Sequence, residues 1–169
     1  MVRDHTNDIS VTKRTQMGNT YTQIHLQLIF AVKYRAALIK NEWKDELYKY
    51  ISGIIERQNH KLIVINGVED HIHILIGFRT HQSLADLMQD IKGDSSKWIN
   101  EKKLTPSKFS WQGGYGAFSY SKSHLKRVIN YINNQEIHHM KTTFIDEYIS
   151  FLKANDIEFD ERYILKNPE

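Results

Sequence analysis

Four residues have the types and the spacing to do chemistry. His71 and His73 flank Ile72 in the run DHIHILIGF, residues 70–78, and Tyr131 stands four residues before Gln135 in YINNQ. Side chains alternate across a strand, so Ile72, Ile74, Ile76 and Phe78 fall on one side. The two histidines fall on the other, about 7 Å apart along the chain. Neutral imidazole is the commonest metal ligand among side chains, and two rings at that spacing can turn toward one ion. Two ligands make an incomplete site, so a third has to come from another element. The residues also permit a plain polar strand face, since a His-apolar-His tripeptide occurs by chance. On a helix Tyr131 and Gln135 share a face, with Val128, Ile129 and Ile132 as the buried stripe beside them. A glutamine carbonyl is a hard oxygen ligand, suited to Mg²⁺ or Mn²⁺ alongside imidazole. A tyrosine hydroxyl one turn away is a candidate nucleophile. The same spacing also describes an amphipathic helix with a rim tyrosine and an exposed glutamine.

The elements that must position these groups follow from periodicity. TYTQIHLQLIFAVKYR alternates, with Ile24, Leu26, Leu28 and Phe30 on one side, and predicts a first strand. Asn41 is the expected N-cap of a helix whose stripe is Trp43, Leu47, Tyr50, Ile51, Ile54 and Ile55. KLIVINGVE and DHIHILIGF predict two further strands, with Asn66-Gly67 as the hairpin signal between them. Ser83 opens a second helix carrying Leu84, Leu87, Met88, Ile91, Trp98 and Ile99, interrupted around Gly93 and stopped by Pro106. FSWQGGYGAFSYS predicts a last strand entered through a flexible loop, in which Gly113, Gly114 and Gly116 form either a hinge or an ordinary turn. KSHLKRVINYINNQEIHH predicts a third helix and TFIDEYISFLKAND a fourth. The order β-α-β-β-α-β is the split βαβ, or ferredoxin-like, α+β plan: an antiparallel sheet with helices on one face and an additional C-terminal helix that bears Tyr131. The opposite sheet face is expected to be free to carry function.

The totals narrow the classes. The 169 residues suffice for one domain with a real core, and 40% hydrophobic with 25% charged is ordinary globular composition. Cysteine is absent, which excludes disulfides and cysteine zinc sites and fits a reducing, cytoplasmic compartment. No apolar run approaches the roughly 20 residues of a membrane helix. Residues 1–17 read as a flexible extension, 18–155 as the functional domain and 156–169 as a tail. The net charge of +3 permits a nucleic-acid partner without demanding one. Lys92, Lys97, Lys102, Lys103 and Lys108 cluster, and Lys122, Lys126 and Arg127 follow. They make either a solvated face or a track for a phosphate backbone.

These motifs, in this order, resemble the IS200/IS605-type transposases, the single-tyrosine members of the HUH endonuclease superfamily. The resemblance spans about residues 19–153 and rests on NTYTQIHLQLIFAVKYR, GVEDHIHILIGF, FSWQGGYGAFSYSKS, VINYINNQEIHH and TFIDEY. His71-Ile72-His73 matches the HUH motif, and Tyr131 to Gln135 matches the YxxxQ helix motif. The resemblance implies a divalent ion, Mg²⁺ or Mn²⁺, held by His71, His73 and Gln135. It implies cleavage and rejoining of single-stranded DNA at hairpin-forming element ends through a 5′-phosphotyrosine on Tyr131. It also implies a homodimer in which the tyrosine helix of one subunit can complete the metal site of the other. Lys92, Lys97, Lys122 and Arg127 would then contact DNA, with Trp111 and Tyr115 stacking on unpaired bases. Trp98 fits the core better. Tyr120 is the rival nucleophile, and Asp70 or Glu69 could orient an imidazole. His138 and His139 read as polar residues at a helix end. No general base stands out. Two other readings remain: a non-enzymatic single-strand nucleic-acid-binding module, and a replication-type HUH nicking nuclease.

Overall fold

The computed structural model describes residues 21–164, so the expected N-terminal extension and the last five residues lie outside it. The chain runs β1 (Ile24–Ala31), α1 (Asn41–Arg57), β2 (Lys61–Val68), β3 (His71–Phe78), α2 (Leu84–Glu101) and β4 (Gly116–Tyr120). It continues through α3 (Leu125–Asn133), α4 (Gln135–His139), α5 (Phe144–Ala154) and α6 (Glu161–Ile164). The four strands form one sheet in the order β2-β3-β1-β4, with every neighbouring pair antiparallel. This is the ferredoxin-like α+β plan. The alternation that predicted β3 holds. Ile72, Ile74 and Ile76 enter the main core under α1 and α2, with Leu28, Phe30, Leu47, Ile51 and Ile91.

The opposite face is not left open. Ile29, Ala31 and Phe118 pack there against Phe144 and Leu152 of α5, and Leu75 packs against Val128 and Ile132 of α3. The sheet is thus the middle layer of three, and His71 and His73 lie in the second interface, fully buried. Phe159 and Ile164, from the segment read as a tail, also pack on this second core.

Three local expectations differ from the structure. Lys40, not Asn41, takes the N-cap position of α1, with no side-chain cap. Helix α2 runs unbroken through Gly93, and its cap is as expected, Ser83 Oγ accepting from Asp86 N at 3.1 Å. Asn66 and Gly67 lie inside β2, opposite His73 and Ile72, and the β2–β3 turn is made by Glu69 and Asp70. Asn66 and Gly67 have other duties. The Asn66 side-chain amide donates to the carbonyls of Ile132, at 2.9 Å, and Asn133, at 3.2 Å, and so ties the end of α3 to the sheet. Gly67 lets the β3 backbone approach: a Cβ there would stand 2.9 Å from Ile72 Cα and closer still to the His71 carbonyl oxygen.

Candidate metal centre and nucleophile

β3 is an inner strand, so its backbone is paired on both sides, with His71 opposite Ala31 and Val68 and His73 opposite Ile29 and Asn66. That fixes where both rings start. Each ring is then oriented through Nδ1: His71 meets Asp70 Oδ1 at 2.7 Å, and His73 meets the Gln27 side-chain amide at 2.9 Å. Of the two acidic neighbours, Asp70 thus orients an imidazole, whereas Glu69 faces Lys40 at 3.5 Å. The Nε2 atoms are left to point under α3, α4 and α5.

The tyrosine helix is kinked at Asn134, which divides it into α3 and α4. Tyr131 and Gln135 therefore sit on successive helices, yet both reach the histidines. Gln135 is fully buried, and its Oε1 lies 3.4 Å from His71 Nε2. Tyr131 packs edge-on at 6.0 Å from His73 and 5.9 Å from Phe151. Its hydroxyl donates to Glu147 Oε1 and lies 3.4 Å from His138 Nε2. Tyr131, Gln135, His71 and His73 thus meet within one chain.

The structure adds two residues to this cluster, His139 and Glu147. The His139 ring is oriented by the Thr142 carbonyl, 2.8 Å from Nδ1, and its Nε2 is 3.0 Å from Gln135 Oε1 and 3.1 Å from Glu147 Oε2. Glu147, 2% exposed, places Oε2 3.3 Å from His73 Nε2 and 3.6 Å from His71 Nε2. Potential ligand atoms of His71, His73, His139 and Glu147 all lie within 4.8 Å of one another. A sequence signal for Glu147 existed: it falls on the apolar stripe of α5 between Phe144 and Phe151, where a carboxylate needs a reason.

Burial is the largest influence on His73 and, against the opposing pull of Glu147, lowers its pKa to about 4, so the ring is neutral near pH 7. Burial works against the Glu147 carboxylate, but hydrogen bonds from His139 and His73 outweigh it and hold the carboxyl far below the usual range. For His139 burial opposes charge, and Glu147 reverses the balance to raise the pKa. Burial, and then Glu147, raise Tyr131.

A divalent ion fits these donors. Imidazole nitrogen, amide oxygen and carboxylate converge, and Glu147 is a buried carboxylate whose ion-pair partners among the described residues are histidines alone. Gln27 Oε1 is buried without a partner. Turning that amide end for end would put the oxygen on His73 Nδ1–H and leave Nε2 its lone pair for a metal.

The expected DNA-contacting residues separate. Lys92, Trp111 and Tyr115 line one groove of about 440 Å³ beside α2. Within it Trp111 is 7% exposed, packs edge-on against Phe30 and Phe109, and donates to Ser95 Oγ at 2.9 Å. It is a core residue, because its ring is enclosed. Lys92 donates at 2.7 Å to the carbonyls of both Gln112 and Gly114, and burial lowers its pKa. It clamps the glycine loop read as a hinge. Lys92→Met is therefore expected to cost about 1 kcal/mol and to speed amide exchange over residues 112–116 several-fold, read by hydrogen-exchange mass spectrometry. Tyr115 is exposed, Lys97 is exposed and 3.8 Å from Glu101, and Lys122 is exposed just before α3. Arg127 lines a second cleft, of about 270 Å³, with Gln27, Tyr120, Tyr131, His138 and Phe151. The rival Tyr120 thus borders the same cleft, but among the described residues Tyr131 is the tyrosine that hydrogen-bonds to the cluster. Trp98 stacks on Tyr50 at 5.1 Å beside the main core.

Fold and site together define a histidine-pair protein of ferredoxin-like plan with one helix-borne tyrosine at its buried cluster. The family model described as Transposase IS200 like matches residues 20–135, more than half of the chain, and the protein belongs to that family. The ISDra2 transposase TnpA of Deinococcus radiodurans is 24% identical over 118 residues, covering 67% of this chain and 84% of that protein. A transposase crystal structure from Deinococcus radiodurans R1 shares the fold with a TM-score of 0.56 at 23% identity, covering 70% of this chain and 95% of that one. The structure of a REP-associated tyrosine transposase bound to a REP hairpin shares it with a TM-score of 0.57 at 10% identity, covering 92% and 94%. The family gives this chain a transposase role, that of a DNA-processing enzyme. Among the described residues no helix is long and apolar enough to cross a membrane.

Proposed function

We propose that this protein is a metal-dependent transposase that cleaves and rejoins single-stranded DNA through a phosphotyrosine at Tyr131. The observation that carries the reading is the Tyr131 hydroxyl held at a buried cluster of metal-ligand type within its own chain. His71, His73 and Gln135 hold a divalent ion, Mg²⁺ or Mn²⁺. When bound, it polarises phosphate oxygens and stabilises the charge that develops on them. Tyr131 Oη forms the new bond to phosphorus and gives up its proton, the bond from phosphorus to the 3′ oxygen breaks, and that oxygen takes up a proton, so the exchange is balanced. The downstream strand is left as a 5′-phosphotyrosine and the upstream strand ends in a 3′-hydroxyl. A second 3′-hydroxyl reverses the exchange, so no nucleotide triphosphate is consumed. Arg127 lines the cleft beside Tyr131 and in this reading binds a backbone phosphate.

The DNA partner is a hairpin-forming element end, in keeping with the hairpin complex of the REP-associated relative. A cytoplasmic homodimer belongs to the same reading. Among the described residues β2 and β4 are the edge strands of the sheet and offer their backbone for association. The test is incubation with single-stranded oligonucleotides from the DNA flanking the gene, 3′-labelled, with Mn²⁺. A protein-linked band on a denaturing gel, abolished by chelation and mapped to the peptide containing Tyr131, is expected. DNA binding with no such band would overturn the reading in favour of a binding module.

A further inference from the structure

We propose that α5 belongs to the active site: Glu147 joins the metal ligands to the nucleophile, and His139 completes the imidazole set. The inference rests on the metal-dependent reading above and extends it past residue 135, where the family match ends. The two oxygens of Glu147 have separate surroundings. Oε2 faces the imidazoles, at 3.1 Å from His139, 3.3 Å from His73 and 3.6 Å from His71. Oε1 accepts from Tyr131 Oη and, at 3.2 Å, from the Gln135 amide. One carboxylate thus touches both the donors and the attacking group.

The local fold is built for this. Thr143 caps α5, accepting from Asp146 N at 3.2 Å and bonding Asp146 Oδ2 at 2.6 Å, which fixes the first turn. Phe144 packs on the His71 ring at 4.4 Å, and Phe151 packs beside Tyr131 and His73. Glu147 lies between these two anchors, one turn from each, and is buried. An ion pair with His139 alone leaves the convergence of His71 and His73 on the same oxygen unexplained. Among the described residues no lysine or arginine is paired with it, and a buried carboxylate surrounded by imidazoles is compensated best by a cation. Oε2 is therefore a metal ligand beside His71, His73 and His139, with Gln135. Oε1 holds the Tyr131 hydroxyl at the edge of that site.

The experiment compares wild type, Glu147→Gln, His139→Ala and Tyr131→Phe for Mn²⁺ affinity by electron paramagnetic resonance on metal-stripped protein, after circular dichroism confirms folding. Glu147→Gln keeps the shape and removes the charge. It is expected to weaken Mn²⁺ about 10–100-fold, as is His139→Ala, with Tyr131→Phe near wild type. Wild-type affinity in Glu147→Gln overturns the ligand role. If that variant does not fold, Glu147→Asp takes its place in the same measurement; unchanged affinity in His139→Ala overturns the place of His139 in the imidazole set. Adduct formation at Mn²⁺ saturating for each protein is expected to be at least about tenfold slower in Glu147→Gln, and an equal rate overturns the hold on Tyr131. Failure of the wild type itself to bind Mn²⁺ would strike the underlying reading, and is distinguishable from these outcomes.

Discussion

Tyr131→Phe is expected to remove the covalent protein–DNA band and leave the fold intact. The change deletes one oxygen. The ring keeps its edge-on packing on His73 and Phe151 and its place 5.2 Å from His138. Glu147 loses one donor but retains Gln135, His73 and His139. The cost in stability is about 1 kcal/mol, the net worth of one hydrogen bond. The cost in rate is of another order, because without the hydroxyl there is no group to form the phosphate ester. Single-turnover cleavage should fall at least about 10⁴-fold, with the melting temperature and oligonucleotide affinity as controls. A band that survives in this variant would move the nucleophile to Tyr120, which borders the same cleft.

Gly67→Ala has the largest expected effect on the fold. An added Cβ at Gly67 would stand 2.9 Å from Ile72 Cα and 3.1 Å from the His71 carbonyl carbon. These are backbone atoms of an inner strand, so the conflict is relieved only by moving β3 away from β2. The expected loss is about 3 kcal/mol, the upper end for overpacking, read by urea unfolding. Because the atoms displaced belong to His71 and Ile72, Mn²⁺ affinity should fall as well. Gly53→Ala is the matched control with opposite sign. Gly53 lies inside α1 with nothing within 4 Å of an added Cβ. That substitution should stabilise by about 0.5–1 kcal/mol.

The sequence by itself determined the strands and helices, their ferredoxin-like order, and the side of β3 on which His71 and His73 lie. It also placed Tyr131 and Gln135 close enough to serve one site. These are consequences of short-range geometry: a strand alternates every residue and a helix repeats every 3.6, so direction can be counted along the chain. The same counting went astray where a residue's duty is set by what arrives from far along the chain. Asn66-Gly67 has the composition of a turn, yet Asn66 secures the end of α3 and Gly67 admits the β3 backbone. For Lys92 and Trp111, read for their chemistry toward nucleic acid, the fold alone adds that Lys92 clamps a loop and that the Trp111 ring packs in the core. His139 and Glu147 carried no spacing that linked them to the histidine strand. Only the docking of α4 and α5 on the second face of the sheet brought them to His71 and His73, more than sixty residues away in sequence. The docking of α5 is driven by burial of Phe144 and Leu152 against Ile29, Ala31 and Phe118. Burial of this kind is non-directional and long-range, so the composition of the cluster was decided by tertiary packing and not by local periodicity.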